Sequence, residues 1–162
     1  MPRRGEFINV EWTGLDELID EYGRIEQAFM RVLEEEYRKY GLLLEEGGKA
    51  LAPEDSGDLA ASIRFSGIRM SGSGLEGDVG TNLVYALRRH EEPYRRGSYP
   101  KYERGSKFPN YYVNGRGATT RRKSWKGYPA GRKYLANAVK ATEDYYNEML
   151  ERILERTING RR

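Results

Sequence analysis

Cysteine is absent from the 162 residues, so disulfides and thiolate metal sites are both excluded. Histidine is almost as scarce, and His90 stands alone. Nucleophile–base arrangements and histidine-rich metal centres therefore lack their usual raw material. No stretch approaches the ~20 apolar residues that a membrane-spanning helix requires. Met1-Pro2-Arg3-Arg4-Gly5-Glu6 lacks the apolar core of a signal peptide. These absences set an expectation: a soluble protein made in the cytoplasm, without cofactor, metal or membrane contact.

What the chain has in quantity is charge. A third of the residues are charged, and mean hydropathy is −0.85. This length suits a single domain spanning 1–162, able to bury roughly 70% of the surface its unfolded form exposes. Such a polar surface is either simply solvated or belongs to an assembly subunit whose charges meet partners. The net charge of +3 is modest, but the two signs are unevenly distributed.

Apolar residues recur at steps of three and four from Leu15 onward, through Leu18, Ile19, Tyr22, Ile25, Phe29, Val32, Leu33, Tyr37, Tyr40, Leu43 and Leu44. This spacing predicts an amphipathic helix over 13–48, with Thr13 as N-cap, acids in the first turn, and Gly47-Gly48 as the stop. A helix this long exceeds what a compact domain needs, and Gly23 and Gly41 are candidate bends. Pro53 forbids a restart of the same helix, Asp55 or Ser56 can cap a new turn, and Gly57 permits a sharp backbone change.

A sheet core is expected over 58–92. Ile63 and Phe65 share one strand face, Ile68 and Met70 the other, and the phase slip at Gly67 is what a β-bulge produces. Ser71–Gly74 reads as a hairpin turn before a return strand carrying Leu75, Gly77 and Val79. Val84-Tyr85-Ala86-Leu87 is strand or short helix. The chain closes with a second amphipathic helix over 132–157, whose stripe runs from Leu135 through Tyr145, Tyr146, Met149 and Leu150 to Ile153 and Leu154. The fold class is thus α+β: a long N-terminal amphipathic helix and a C-terminal helix packed on a small antiparallel sheet, with a long basic loop.

Motifs with catalytic or cofactor associations are weak. Gly72-Ser73-Gly74-Leu75-Glu76-Gly77 matches G-x-G-x-x-G, but Asp78-Val79-Gly80-Thr81 follows it where a dinucleotide site needs a helix, so the hairpin reading prevails. His90 with Glu91 and Glu92 falls short of the three or four convergent ligands of a metal site. The acid pairs Glu45/Glu46 and Glu54/Asp55 read as charged helix face.

Residues 93–131 stand out. Across this stretch and its margin, Arg95, Arg96, Lys101, Arg104, Lys107, Arg116, Arg121, Arg122, Lys123, Lys126, Arg132 and Lys133 face a single acid, Glu103. Tyr94, Tyr99, Tyr102, Phe108, Tyr111, Tyr112, Trp125 and Tyr128 are interleaved. Proline and glycine break any period, so a long basic aromatic loop is expected. Arginine and aromatics suit phosphate contact with base stacking, and they equally suit a protein interface. Solvated disorder is the third reading. The candidate contact residues are Arg95, Arg96, Lys101, Arg104, Lys107, Arg116, Arg121, Arg122, Lys123, Trp125 and Lys126. From Leu15 to Lys49 the chain carries ten acids against five basic residues. Unlike charged surfaces on one subunit are complementary when copies stand side by side, and head-to-tail contacts of that kind close into rings.

Three ordered segments resemble the tail-completion, or head–tail joining, family of long-tailed bacteriophages. Ala52-Pro53-Glu54-Asp55-Ser56-Gly57-Asp58-Leu59 with Ser62-Ile63 resembles its Ala-Pro-x-Asp-Thr/Ser-Gly-x-Leu-x-x-Ser-Ile element. Val79-Gly80-Thr81 with Val84-Tyr85-Ala86 is similar to its Val-Gly … Tyr-Ala strand. Tyr128-Pro129-Ala130-Gly131-Arg132-Lys133-Tyr134-Leu135-Ala136-Asn137-Ala138 is similar to the lead-in to its last helix, though Arg132 or Lys133 replaces the second proline. Glu91-Glu92-Pro93-Tyr94 stands where that family commonly has Glu-aromatic-Gly-Thr.

The resemblance implies a non-enzymatic virion protein at the head–tail junction, assembled in the host cytoplasm. It implies a homo-oligomeric ring, commonly a hexamer, that caps the tail tube and joins it to the portal or connector proteins, with genomic DNA passing through. The alternative is a small basic nucleic-acid-binding protein using the 94–133 loop, although no helix–turn–helix, zinc-finger or RNA-recognition signature is visible.

Overall fold

A computed structural model describes residues 15–159 except 55, 72–73, 94–95, 104–105 and 115–116. Helix α1 runs unbroken over Leu15–Leu51, about 55 Å at 1.5 Å per residue. It continues through Gly47-Gly48, where a stop was expected. The reason is packing: a Cβ at Gly47 would stand 2.5 Å from the Trp125 ring, and one at Gly48 3.0 Å from the Leu135 side chain. These glycines let neighbours approach the helix axis closely, and termination falls to Ala52-Pro53.

Gly57, at φ +87°, turns the chain into the short helix α2, Asp58–Ser62. No side chain caps it from the N-cap position. The Ser56 hydroxyl instead donates to the Asp58 carboxylate at 2.6 Å. Ile63 then drops into the core, fully buried.

The strands that follow, β1 Arg64–Phe65, β2 Arg69–Ser71, β3 Gly74–Glu76 and β4 Val79–Gly80, fold back on themselves. Arg64 pairs with Gly80 and Phe65 with Val79, whereas Arg69 pairs with Glu76 and Met70 with Leu75. Between these registers Ser66, Gly67 and Ile68 oppose only Gly77 and Asp78, so one strand carries an extra residue. Gly67 takes φ +84° there, as a bulge with glycine in the left-handed region requires. The parity slip in the sequence and the bulge coincide. Val84-Tyr85 form a turn, and helix α3 follows over Ala86–Glu91.

The long basic loop expected over 93–131 is replaced by regular structure. Strands β5 Ser98–Glu103 and β6 Ser106–Asn114 form an antiparallel ribbon, helix α4 covers Ala118–Arg122, and β7 Ser124–Trp125 pairs with β8 Tyr128–Pro129. Tyr, Phe and Val favour strands strongly enough to outweigh the breakers. In a two-stranded ribbon both strands are edges, so Pro100 is tolerated, and the register shifts just past it.

The single C-terminal helix expected over 132–157 is two: α5 Tyr134–Ala141 and α6 Glu143–Asn159. The break is Thr142, whose hydroxyl donates back to the Ala138 carbonyl at 2.9 Å, a bond that bends helices. Among the described residues the strands form four separate two-stranded antiparallel pairs; β1–β4 and β2–β3 stand where one small sheet was expected over 58–92, and the other two where the loop was expected. The fold is α+β.

α1 carries two cores. At its C-terminal end Leu51 and Ala52 meet Leu59, Ile63, Ala86, Ala130, Tyr134 and Ala138. Midway along, Val32 meets Met149 and Ile153 of α6, ringed by Phe29, Leu33, Tyr37, Tyr40, Tyr145 and Tyr146. Because α6 runs antiparallel to α1, Tyr40 lies by Thr142 and Glu36 by Arg156.

Candidate interaction surfaces

The contact residues expected in the basic stretch separate into distinct groups. Arg95, Arg104 and Arg116 lie outside the described residues. Lys101 is on β5 and Lys107 on β6, where Tyr102 pairs with Lys107. Arg96 is exposed, and its carbonyl accepts the Tyr99 hydroxyl. Two of the others are engaged by the body of the protein. Lys123 pairs with Glu54 at 3.2 Å. Trp125 is half-buried against α1 at Gly47, its Nε1 donating to Glu46 at 3.4 Å. Arg121 and Arg122, in the last turn of α4, and Lys126 remain exposed. Lys126 lies over the outer face of Trp125, 5.3 Å from the ring centroid.

This basic surface is anchored to the C-terminal end of α1. The Thr120 hydroxyl of α4 is buried and accepts the Glu54 amide at 2.9 Å, and the Gly131 amide donates to the Leu51 carbonyl at 2.8 Å. Helix α3 adds Arg88 and Arg89 at the same end, both exposed.

His90 closes α3 onto α5. Its Nδ1 is 2.7 Å from the Glu91 carboxylate, and its ring meets Tyr134 edge-on at 5.0 Å. Its backbone carbonyl accepts the Lys133 amide at 2.9 Å. Lys133 also ion-pairs with Glu91, which holds that carboxyl below the usual carboxylate range. His90 is thus engaged through Nδ1, its ring and its backbone carbonyl, while its buried Nε2 has no hydrogen-bond partner among the described residues. Among the described residues, no group of three or more His, Asp or Glu side chains is placed to hold a metal ion. The G-x-G-x-x-G match lies across the hairpin, with Gly74–Glu76 as a strand and Val79–Gly80 as the next, so no helix opens directly after it.

Between α1 and the bulged hairpin lies a cavity of about 350 Å³ lined by Tyr37, Tyr40, Gly41, Leu44, Phe65 and Val79, among others. Its acids, Glu76 and Asp78, both pair with Arg69. Their charge is therefore already balanced across the hairpin.

The strongest electrostatics join α1 to α6. The Glu36 side chain is only 4% exposed and accepts Lys39, Arg152 and Arg156, the last at 2.7 Å. Burial alone would raise its pKa, but hydrogen bonds from Lys39 and Arg152 outweigh this and lower it. Glu35, bonded by Arg156 and Lys39, is held down at about 2. Alongside, burial and a hydrogen bond to Tyr146 push the Tyr37 hydroxyl up to about 12. This network closes an interhelix joint; the groups are engaged with one another.

Sequence reasoning missed two exposed apolar features. Val84, in the turn before α3, and Leu87, in its first turn, are 99% and 73% exposed. On α6, Met149 and Ile153 face α1, but Leu150, Leu154 and Ile158 form a second stripe facing outward. The signal was present as a surplus: α6 holds more apolar positions than one buried face can use.

Comparison with protein-family models, curated sequences and solved structures gives no match.

Proposed function

We propose that this chain is a structural subunit of a bacteriophage head–tail junction, assembling into a ring that caps the tail tube and joins it to the portal or connector complex. The observation that carries the reading is where the three family-like segments meet. Ala52, Leu59 and Ile63 from the first, Ala86 from the second, and Ala130, Tyr134 and Ala138 from the third make up nearly all of the larger core. Residues that are distant in sequence and share one motif set are thus the ones that hold one another. That is what a resemblance in fold demands, and it accounts for short motifs without chemistry in them. Uncommitted cations at one end of α1 and acids toward the other support a subunit satisfied by neighbouring chains.

The test is physical. Light scattering on the purified chain, then class averaging of electron micrographs, is expected to give rings, and a reconstruction of the assembled particle is expected to place this chain between capsid vertex and tail. A chain that never exceeds a monomer and is missing from that junction refutes the reading. Arg121, Arg122 and Lys126 favour a second reading, contact with nucleic acid. Replacing the two arginines by alanine should then flatten the salt dependence of DNA binding by about one unit of log–log slope for each phosphate that an arginine had neutralised.

A further inference from the structure

We infer that two copies of this chain join head to tail, the α3 knob of one (Val84 and Leu87, flanked by Arg88 and Arg89) seating on the outer α6 stripe of the next (Leu150, Leu154 and Ile158, flanked by Glu151 and Glu155). The inference deepens the assembly reading and rests on it for its biological use; it identifies the two faces that would meet. Each face is apolar and open to solvent. Val84, in the turn that leads into α3, is 99% exposed, and on α6 Leu154 is 58% and Ile158 65% exposed, so all three leave apolar surface in water.

The two faces cannot satisfy each other within one chain. Ala86 packs at Leu51, and Ile153 packs at Val32; that stretch of α1 is roughly 28 Å long at 1.5 Å per residue. The knob and the stripe therefore lie toward opposite ends of an elongated molecule. Charge follows the same division. The knob shares its end with Arg121, Arg122 and Lys126, whereas the stripe runs toward the acidic first half of α1, where Asp20 and Glu26 are exposed. Arg88 pairs with Glu92 on the surface, while Arg89, Glu151 and Glu155 have no ion-pair partner among the described residues.

Charge also selects which faces pair. A contact of knob on knob would bring the Arg88 and Arg89 pairs of two copies together, and one of stripe on stripe would bring Glu151 and Glu155 together. Both juxtapose like charges around an apolar centre. Only the unlike pairing matches apolar to apolar and base to acid. A contact between unlike faces closes as a reciprocal pair or a larger ring, or extends as a filament.

The experiment uses two double variants, Val84→Asp with Leu87→Asp and Leu154→Asp with Ile158→Asp. All four positions are exposed, and unchanged helical circular dichroism confirms folding. Sedimentation velocity across a concentration series should show each variant at least a hundredfold weaker in self-association than the parent chain, because two aliphatic side chains no longer bury at the interface. The decisive sample is their equimolar mixture. Each variant keeps one intact face, so the mixture should form one-to-one dimers and nothing larger. Variants that assemble like the parent would overturn these two faces while leaving a ring built through others intact. A mixture that stays monomeric would overturn the head-to-tail arrangement. A parent chain monomeric at every concentration overturns both this inference and the assembly reading.

Discussion

Replacing glycine by alanine inside an exposed helix ordinarily stabilises a protein by ~1 kcal/mol, because the unfolded chain loses freedom and the helix gains a good former. In α1 the sign should depend on position. At Gly23 nothing lies within 4 Å of where a Cβ would stand, so Gly23→Ala should follow the ordinary rule and raise Tm by roughly 2–4 °C. At Gly41 the Cβ would stand 2.4 Å from the Phe65 ring, and at Gly47 2.5 Å from the Trp125 ring. Neither ring can retreat without disturbing its own neighbours. Phe65 would also lie 2.8 Å from a Cβ at Gly77 on its hairpin side, and Trp125 is held by the β7–β8 pair and by Glu46. Overpacking of this kind costs about 1–3 kcal/mol, which exceeds the helix gain. Gly41→Ala and Gly47→Ala should therefore be net destabilising, by up to ~2 kcal/mol once the ~1 kcal/mol gain is subtracted. Urea midpoints at constant m read this directly. Trimming the ring in the same chain, Gly41→Ala with Phe65→Leu, should recover more than the two single changes predict together. If all three alanines stabilise alike, the close approach of these rings to the helix axis is wrong.

Two further outcomes follow from the joint between α1 and α6. Glu36→Gln keeps the shape but leaves two guanidinium groups without their buried counter-charge, and should cost about 1–3 kcal/mol, toward the lower end because both arginines are partly exposed. Glu35 and Glu36 have depressed pKa values, so the stability they contribute is present above the ordinary carboxylate value of 4.5 and is lost as pH falls below it, through about 2 for Glu35; Glu36→Gln should flatten that acid limb in pH-dependent denaturation. Tyr37 is raised instead, so its contribution holds below pH 10 and is lost as pH climbs toward about 12. Tyr37→Phe should blunt alkaline unfolding, while losing the 3.1 Å hydrogen bond to Tyr146 at neutral pH.

The long helix, the hairpin and its bulge were legible because each is written in local periodicity. Steps of three and four marked α1, and a change of parity at Gly67 marked the extra residue. What failed had nonlocal causes. A glycine pair looks the same whether it ends a helix or admits a tryptophan, and only Trp125, far along the chain, decides between them. Thr142 keeps the apolar stripe in phase through the break, so α5 and α6 read as one helix. The strands over 98–114 were hidden by Pro100 and Pro109, which matter less in a ribbon with two free edges. Among the contact candidates, Lys123 and Trp125 gave no warning that Glu54 and Glu46 would claim them. The exposed stripe on α6 escaped notice because periodicity reports that a face is apolar but not what covers it.

The two cores also differ in size, and this sets where the molecule should open first. The C-terminal end of α1 is fixed by α2, α3, β8 and α5 together, with eight buried residues. Midway along, α6 holds α1 through three buried residues, the tyrosine cluster and the Glu36 ion pairs. From Val32 α1 continues toward Leu15 for roughly 25 Å, whereas α6 runs only about 9 Å past Ile153. If α6 lifts away, the first half of α1 becomes an isolated helix, which is marginal in water. Residues 24–40 and 143–159 should therefore exchange amide hydrogens as one unit, at lower protection than 44–51 and 134–141. Equal protection across both groups would show that the molecule opens only globally. A second copy seated on the outer stripe of α6 would raise protection in 143–159 with increasing protein concentration, and through the shared joint in 24–40 as well. The parent chain and the Leu154→Asp, Ile158→Asp variant would then diverge in those two segments, and in no others near the joint, as concentration rises.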